Sequence, residues 1–292
     1  MLLRETDLTM FLAVASTGRT ATSYVAEALN HLPGIAALHE GHLGNDAGPD
    51  VLPMVNLDNF ACFKSADKAR TVVAAKRSRE VIEKACTEND ARLLVDVAYY
   101  NSVLLREILR QMPDAHAAII VRDCESFVRS ATWFTGTDPM PVGWPDPSKL
   151  LDAREKFISM GRIRPVDGPD LDAWNDWGAV ERNIWLWRTT NRLLCDAWAE
   201  FPTRVHYIDF RTLVSEPTTV LVSLLGTIGC PLNADQLGIL RTSLEGAHTH
   251  QNERQGGYQL GPRGEWSASA VELLDAAQAD IETRIGRMRN GR

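Results

Sequence analysis

Short apolar runs alternate along the chain with longer stretches in which apolar residues recur at helical spacing. Six runs have the length and composition of buried strands: Met10–Ala15, Ile35–Leu38, Phe60–Lys64, Leu93–Val97, Ala117–Val121 and Val205–Phe210. Seven stretches are predicted as helices: Thr22–Leu32, Val72–Thr87, Ser102–Gln111, Glu125–Phe134, Ala173–Phe201, Pro217–Ile228 and Ala268–Met288. Because strands and helices alternate, the pattern predicts an α/β fold with a central parallel sheet flanked by helices.

Three polar stretches interrupt this rhythm and are predicted as loops, at 41–58, at about 135–170 and at His248–Gly264. The Pro- and Gly-rich stretch at about 135–170 is either a lid over a substrate site or a surface insertion. A chain of 292 residues can bury one large core or two small ones. We predict a single domain over residues 1–292 that closes with a helix at about 268–288.

The predicted helix Ala173–Phe201 is rich in tryptophan, at Trp174, Trp177, Trp185, Trp187 and Trp198. A long amphipathic helix has to bury its apolar face against the rest of the protein. We therefore predict that these rings belong to the core and do not form a platform for a ligand.

Charge and cysteine usage narrow the functional classes. The chain has 31 Lys and Arg against 38 Asp and Glu, a net charge of −7, which argues against nucleic acid as the main partner. No stretch approaches the ~20 apolar residues of a membrane span, and the first ten residues lack the apolar region of a signal peptide. The five cysteines are scattered without a CxxC pair. We expect reduced thiols in the cytoplasm, no metal centre and no membrane partner.

The segment Thr17-Gly18-Arg19-Thr20-Ala21-Thr22-Ser23 lies between the first predicted strand and the first predicted helix. The start of a helix offers unpaired N–H groups and a partial positive charge, and both suit a phosphate. Arg19 adds a charged donor fork, and the hydroxyls add further donors. An ordinary helix cap of Thr and Ser is the alternative. A GxxxxGK[ST] loop is absent, which disfavours a kinase or nucleotide triphosphatase.

The run Gly18 to Tyr24 resembles the 5′-phosphosulfate loop of sulfotransferases that use 3′-phosphoadenosine 5′-phosphosulfate (PAPS), with the approximate pattern [PG]-[KR]-[ST]-G-[ST]-[ST]. The resemblance places Arg19 at the family's catalytic Lys or Arg, and Thr22 and Ser23 at its hydroxyl pair. Ala21 departs from the pattern, since the family carries Gly there.

A second match concerns the end of the predicted strand Ala117–Val121. Arg122 follows this strand, and Ser130 comes eight residues later in the next helix. Taken alone, the two would be a surface arginine and an exposed helical serine. The sulfotransferase family has an Arg and a Ser at this spacing in its 3′-phosphate site, so the resemblance implies that Arg122 and Ser130 bind that phosphate.

Two further stretches are similar to the family near its C-terminus. The strand around Tyr207 and the following Glu216-Pro217 resemble a structural run, from which we take Tyr207 as a nucleotide-binding candidate. Gly261-Pro262-Arg263-Gly264-Glu265-Trp266 resembles a nucleotide-binding loop, which implies roles for Gly261, Arg263 and Gly264. The family's Arg-Lys pair is replaced by Gln259 and Leu260, and Arg254 or Arg263 is expected to supply the missing charge.

A base for the acceptor is sought at the carboxyl ends of the predicted strands, where ligands of open α/β sheets bind. Glu40 follows the second strand and is the first choice, with His42 and His39 after it. Asp96 lies in the strand that resembles the family's K[ST]P site, although Lys, Ser or Thr, and Pro are all missing. A solvated loop residue is the alternative for each.

The resemblance implies a P-loop NTPase-like sulfotransferase fold and transfer of the sulfuryl group from PAPS to a hydroxyl or amine of a small-molecule acceptor. The product nucleotide would be 3′-phosphoadenosine 5′-phosphate (PAP), with Arg19 neutralising charge on the leaving group and no metal required. Two alternatives stay open: a metal-dependent, kinase-like nucleotide-binding enzyme, and a PAP-binding protein without catalysis. A homodimer is compatible with the sequence.

Overall fold

A six-stranded sheet forms the centre of the structure, a computed structural model that describes residues 10–40, 42–43, 59–133, 162–247 and 260–290. The strands are β1 (Met10–Ser16), β2 (Ile35–His39), β3 (His42–Leu43), β4 (Leu93–Val97), β5 (His116–Val121) and β6 (Val205–Asp209). Their order is β3-β2-β4-β1-β5-β6. The short edge strand β3 is antiparallel to β2, and the other five strands are parallel. The predicted α/β fold with a central parallel sheet is confirmed.

Strand β1 lies between β4 and β5. Leu12 pairs with Val95 on one side and with His116 on the other. Since five strands run in the same direction, their carboxyl ends meet at one edge of the sheet. The residues at these ends are Ser16, His39, Val97, Val121 and Asp209. Ligands of open α/β sheets bind outside this edge, so the segments after these residues are the candidates for a functional site.

Helices cover both faces of the sheet. In the first half they are α1 (Thr22–Asn30), α2 (Asn59–Lys64), α3 (Ala66–Lys76), α4 (Arg79–Glu88), α5 (Asn101–Gln111) and α6 (Cys124–Trp133). In the second half they are α7 (Gly168–Trp174), α8 (Ala179–Glu200), α9 (Phe210–Ser215), α10 (Pro217–Thr227), α11 (Ala234–Ala247) and α12 (Ala268–Asn290). A single 3₁₀ turn, Arg263–Glu265, precedes α12.

The side chains of β1 alternate between the two faces, as the period of two in a strand requires. Phe11, Ala13 and Ala15 belong to a core cluster with α3, α4, α5 and α8. Leu12 and Val14 belong to a second cluster with α1, α10 and α11. Both faces of β1 are therefore dry, which explains why its sequence is a continuous apolar run rather than an alternating one.

A third core cluster joins α6, α8 and α12 beside the sheet, around Phe127, Trp187 and Leu274. Four of the five tryptophans predicted to be core residues are at most 8% exposed: Trp174, Trp185, Trp187 and Trp198. Trp177 is partly buried against the same cluster. The expectation of a structural role for these rings is confirmed.

The predicted strand at Phe60–Lys64 was wrong, because the segment is helix α2. Cys62 turns into the core and Asn59 is buried, while Lys64 is exposed, so one face of a short helix is covered. An apolar run of this length fits a strand and a buried helical turn equally well. Ser65 marks the start of α3, but it does not tell whether the residues before it form a strand or a helix.

The predicted helix Val72–Thr87 is interrupted at Arg77, which ends α3, and Ser78, which caps α4. The break turns the Arg77 side chain into the core, where Nη2 donates to Asp96 Oδ2 at 2.8 Å and to Asn101 Oδ1 at 2.7 Å. Both ionic side chains are fully enclosed. Burial raises the pKa of the Asp96 carboxyl, against the opposing charge of Arg77.

Other helix boundaries differ in a similar way. The predicted helix Ala173–Phe201 begins too early, because α8 starts at Ala179 after its N-cap Gly178. Helix α7 shares only Ala173 and Trp174 with the predicted helix and was not predicted. Helices α9 and α11 were not predicted. Helix α11 contains Gly238 and Gly246, and glycine lowers helix propensity by about 1 kcal/mol, which weakens the local signal.

Most of each of the three predicted loops lies outside the described residues, at 44–58, 134–161 and 248–259. No helix among the described residues is long and apolar enough to cross a membrane. No group of three His, Cys, Asp or Glu side chains in the described ranges could hold a metal ion. The extent of the domain stays a prediction.

The enclosed ion pair yields a test of stability. Asp96→Ala leaves the Arg77 charge buried without its carboxylate, so we expect the free energy of unfolding to fall by about 3–5 kcal/mol. The exposed pair between Arg79 and Glu83 is the control, at 71% and 52% side-chain exposure. Glu83→Ala should cost about 0.5 kcal/mol or less. Urea denaturation measures both, and similar losses for the two variants would contradict the assigned importance of the buried pair.

Candidate functional site at the carboxyl edge of the sheet

The loop between β1 and α1 is folded around the side chain of Ser16. Ser16 Oγ accepts a hydrogen bond from the Gly18 N–H at 3.0 Å and another from Thr20 Oγ1 at 2.7 Å. Both hydroxyl groups are buried, so these bonds are shielded from water. Ser16 was not among the predicted site residues, because it reads as the polar end of an apolar strand. Its role is to hold the backbone of the loop in one conformation.

The backbone of this loop has left-handed conformations at Gly18 (φ 77°), Arg19 (φ 56°) and Ala21 (φ 58°). Loops of this kind can turn successive N–H groups toward one point and form a concave anion site. Ala21 is the N-cap of α1 and gives the helix no side-chain hydrogen bond. The N–H groups of the first turn of α1 therefore lack a capping side chain, which suits them to an anion.

The two predicted phosphate sites meet in the structure. Arg19 Nε donates to Ser130 Oγ at 3.1 Å, and Arg122 Nη1 donates to the Arg19 carbonyl at 2.7 Å. These contacts join residues that are 111 and 103 positions apart in sequence. The loop after β1, the end of β5 and helix α6 thus form one cationic region at the carboxyl edge.

Arg122 is held from several sides. Its Nε donates to Ser126 Oγ at 2.7 Å, and its guanidinium lies 4.7 Å from the centre of the Phe210 ring. Trp187 Nε1 donates to the Arg122 carbonyl at 2.8 Å and fixes the backbone. Burial lowers the pKa of Arg122, and a bound anion would stabilise its charge. Within the described part of the chain, Nη2 has no hydrogen-bond partner.

The hydroxyls of the loop divide into two groups. Thr17 and Thr20 are buried, and their described hydrogen bonds stay within the loop and its preceding strand. Thr22 is partly exposed, with Oγ1 at 3.3 Å from His39 Nε2, and Ser23 is exposed. Thr22 and Ser23 are therefore the hydroxyl groups that a ligand can reach.

The four predicted base candidates have different surroundings. Glu40 follows β2 in a left-handed conformation (φ 52°), and its N–H donates to the Val97 carbonyl at 3.0 Å. Burial raises the pKa of the Glu40 carboxyl, with the charge of Arg162 acting in the opposite direction. His39 is half-buried beside Thr22, whereas the side chain of His42 lies outside the described residues. Asp96 is enclosed with Arg77 and offers no surface to an acceptor.

Two residues near Glu40 were missed by the sequence analysis. Tyr99 follows β4, and its Cβ lies 3.4 Å from where a Cβ on Gly18 would be, so it packs against the loop. The Arg162 guanidinium lies 5.5 Å from the centre of the Tyr99 ring. Burial raises the pKa of Tyr99 to about 12. Neither residue belongs to a local motif, and Arg162 reaches the site only through the tertiary fold.

The predicted C-terminal loop is in contact with α6. The Gly261 carbonyl accepts hydrogen bonds from Arg129 Nη1 and from Trp266 Nε1, both at 3.0 Å. Arg129 is the neighbour of Ser130, so this loop lies next to the candidate 3′-phosphate site. Gly264 is part of the 3₁₀ turn, and Arg263 forms an ion pair with Asp275 at 2.6 Å.

Two sequence-predicted candidates, Tyr207 and Arg254, have no described contact with the loop after β1 or with Arg122. Tyr207 is stacked on Trp198 with ring centres 5.4 Å apart, and the Arg289 guanidinium lies 4.5 Å from the centre of its ring. These contacts belong to the packing of α8 and α12 on β6. Arg254 lies outside the described residues.

The solved structures that are similar to this chain include three sulfotransferases. Sulfotransferase STF9 from Mycobacterium avium has a TM-score of 0.51 and 12% identity over 94% of this chain and 76% of that chain. The sulfotransferase domain from the curacin biosynthetic pathway has a TM-score of 0.47 and 14% identity, covering 95% and 97%. Mouse sulfotransferase SULT7A1 complexed with PAP has a TM-score of 0.46 and 10% identity, covering 97% and 86%. No family model matches the chain, and neither does any curated protein. The chain has the sulfotransferase fold, as its sequence motifs implied.

The left-handed Ala21 leads to a prediction on the loop. Ala21→Gly removes a Cβ that is unfavourable at positive φ, so we expect the free energy of unfolding to rise by roughly 0.5–1 kcal/mol. The same substitution at the exposed, helical Ala74 should lower it by about 1 kcal/mol. Thermal or urea unfolding of both variants measures the two effects. A loss of stability in Ala21→Gly would show that the loop does not hold this conformation in solution.

Proposed function

We propose that this protein is a sulfotransferase that moves the sulfuryl group of PAPS to a hydroxyl or amine of a small-molecule acceptor. The observation that carries the proposal is the junction of two cationic groups from distant parts of the chain, Arg19 with Ser130 and Arg122 with the Arg19 carbonyl. A nucleotide with phosphates at both its 5′ and 3′ positions is a ligand that needs two such groups side by side.

The binding roles follow from position and access. The N–H groups at the start of α1, with the hydroxyls of Thr22 and Ser23, would hold the 5′-phosphate. Arg122 and Ser130 would hold the 3′-phosphate, with Arg122 already oriented by Ser126 and Phe210. An arginine fixed in this way binds an oxyanion without losing much conformational freedom.

The protein forms no covalent bond to the sulfuryl group in the transfer step; it positions the reactants and stabilises charge. The acceptor oxygen or nitrogen forms a bond to sulfur while the bond from sulfur to the bridging oxygen breaks, and that oxygen leaves as part of PAP. Negative charge grows on the 5′-phosphate as it leaves, and Arg19 would stabilise it, as preorganised cations do in phosphoryl transfer. The acceptor also loses a proton, for which a base is required.

Glu40 is the base that fits the geometry best. It follows β2 at the same edge as the loop, whereas Asp96 is enclosed and paired with Arg77. Burial raises the pKa of Glu40, which makes its carboxylate a better proton acceptor than one in water. His39 and His42 remain second choices on the same segment.

Nucleotide affinities test the proposal. We expect PAP to bind at least about tenfold more tightly than adenosine 5′-monophosphate (AMP), since one charge-assisted hydrogen bond contributes about 1.5–3 kcal/mol. Arg122→Met should weaken PAP by about 10–100-fold and AMP by less, since AMP loses only the support that Arg122 gives to the loop through the Arg19 carbonyl. Arg241→Met, at an exposed position of α11, is the control and should change neither affinity. Isothermal titration calorimetry measures all of them.

Three outcomes of that experiment would contradict the proposal. Equal affinity for PAP and AMP would remove the 3′-phosphate site. Tighter binding of ATP with Mg²⁺ than of PAP would favour a kinase-like enzyme. PAP binding without any transfer of labelled sulfuryl group from PAPS to a panel of alcohols and amines would leave a binding protein.

The pH dependence of turnover tests the base. Glu40 acts only when ionised, and its pKa is raised, so kcat/KM should increase with pH through a value above the ordinary pKa of Glu, about 4.3. Glu40→Gln should remove this acid limb and lower kcat by about 10²–10⁴-fold. Glu245→Gln, at an exposed site on α11, should leave the profile unchanged. An unaltered profile in Glu40→Gln would exclude Glu40 as the base.

A further inference from the structure

A small cavity lies beside the anion loop, between the carboxyl edge of the sheet and helices α2, α5 and α8. Its volume is about 10 Å³, room for one small polar group. Polar side chains provide much of its lining: Ser16, Asn59, Tyr99, Ser102, Arg162 and Thr190. Among the described lining residues none is a carboxylate, so Arg162 gives the cavity a positive charge.

Arg162 is only 9% exposed, and part of its donor fork is unused by the described residues. In the described part of the structure, its Nε and Nη1 have no hydrogen-bond partner. Glu40 and Tyr99 act on its charge electrostatically, but no salt bridge joins Glu40 to Arg162 within the described ranges. A buried cation with unused donors is costly unless an anion completes it.

Arg77, the enclosed arginine paired with Asp96, has a structural role and serves as a comparison. Arg77 donates to Asp96 at 2.8 Å and to Asn101 at 2.7 Å, both within the protein. Arg162 is 9% exposed against 1% for Arg77, and no carboxylate forms an ion pair with it within the described ranges. This contrast indicates that the partner of Arg162 comes from a ligand.

The position of Arg162 indicates that the anion belongs to the acceptor and not to the nucleotide. Arg122 and Ser130 lie on the β5 side of the central strand β1, where we place the 3′-phosphate of the nucleotide. Tyr99 follows β4 and Glu40 follows β2, on the other side of β1, and both interact with Arg162. Arg162 is therefore on the side of the base, where the acceptor has to lie.

We propose that Arg162 and its cavity form an acceptor subsite for a carboxylate, so that the acceptor class is hydroxy- or amino-substituted carboxylic acids. The inference rests on the proposed function. One carboxylate oxygen is about the size of a water molecule, which the cavity can hold, and the planar carboxylate matches the fork of donors on a guanidinium. The body of the acceptor stays outside the cavity, with its hydroxyl or amine toward Glu40.

Matched acids and esters test this subsite. The probes are 4-hydroxybenzoate and 3-hydroxybutanoate, each compared with its methyl ester, added to the PAP-loaded protein in a calorimeter. We expect at least one acid to bind about tenfold or more tightly than its ester, the contribution of a charge-assisted hydrogen bond. The same preference should appear as a lower KM when PAPS is the donor.

Two variants connect the preference to Arg162. Arg162→Met should abolish the difference between acid and ester and leave PAP affinity within about twofold, because the side chains assigned to the two phosphates do not line the cavity. It should unfold at the same temperature as the unchanged protein or above it, since an incompletely paired buried charge is replaced by an apolar chain. Arg164→Met, at an exposed residue two positions away, should keep the preference for the acid.

The outcomes separate this inference from the proposed function. Equal binding of acid and ester in both pairs, or no binding of any probe, overturns the carboxylate subsite while PAP binding still supports a sulfotransferase. A preference for acids that persists in Arg162→Met overturns the assignment to Arg162. Loss of the difference between PAP and AMP would count against the proposed function instead.

Discussion

The hydrogen bond from Arg122 to the Arg19 carbonyl is the contact on which the site depends most. It fixes the loop after β1 to the end of β5, and so it sets the distance between the two cationic groups. Three residues hold Arg122 in place: Ser126 in the first turn of α6, Phe210 in α9 and Trp187 in α8. Parallel strands bring these segments to one edge, and a buried tryptophan then limits how far they can move.

The sequence was sufficient where the signal is local. The apolar runs at Met10 and Ala117 predicted the strands, and the residues after the first run indicated an anion loop, whereas the joint role of Arg122 and Ser130 was implied by the family resemblance. The approach of Arg19 to Ser130 depended on strand order, which alternation alone does not give. Phe60–Lys64 was predicted as a strand although it lies in helix α2, because a short apolar run carries no reliable period.

Arg162 and Tyr99 show why the other half of the site was not visible in the sequence. Arg162 lies within the stretch at about 135–170 that was predicted as a loop, where no periodicity predicts a neighbour. Its position over the Tyr99 ring is a product of the packing of α5, α8 and the loop. Asp96 was predicted as a candidate base from its place near a strand end, but it is buried in an ion pair with Arg77. The apolar pattern did not reveal the helix break that brings Arg77 to it.

The contact between Arg129 and the carbonyls of Leu260 and Gly261 has a consequence for the biosynthesis of the protein. These acceptors are 131 and 132 residues downstream of Arg129, and α12, which completes the core around α6, comes later still. A nascent chain that ends after α6 lacks both carbonyls and the residues of α12 that pack on this helix. The part of the site that contains Ser130 should therefore reach its folded arrangement only after α12 has been translated.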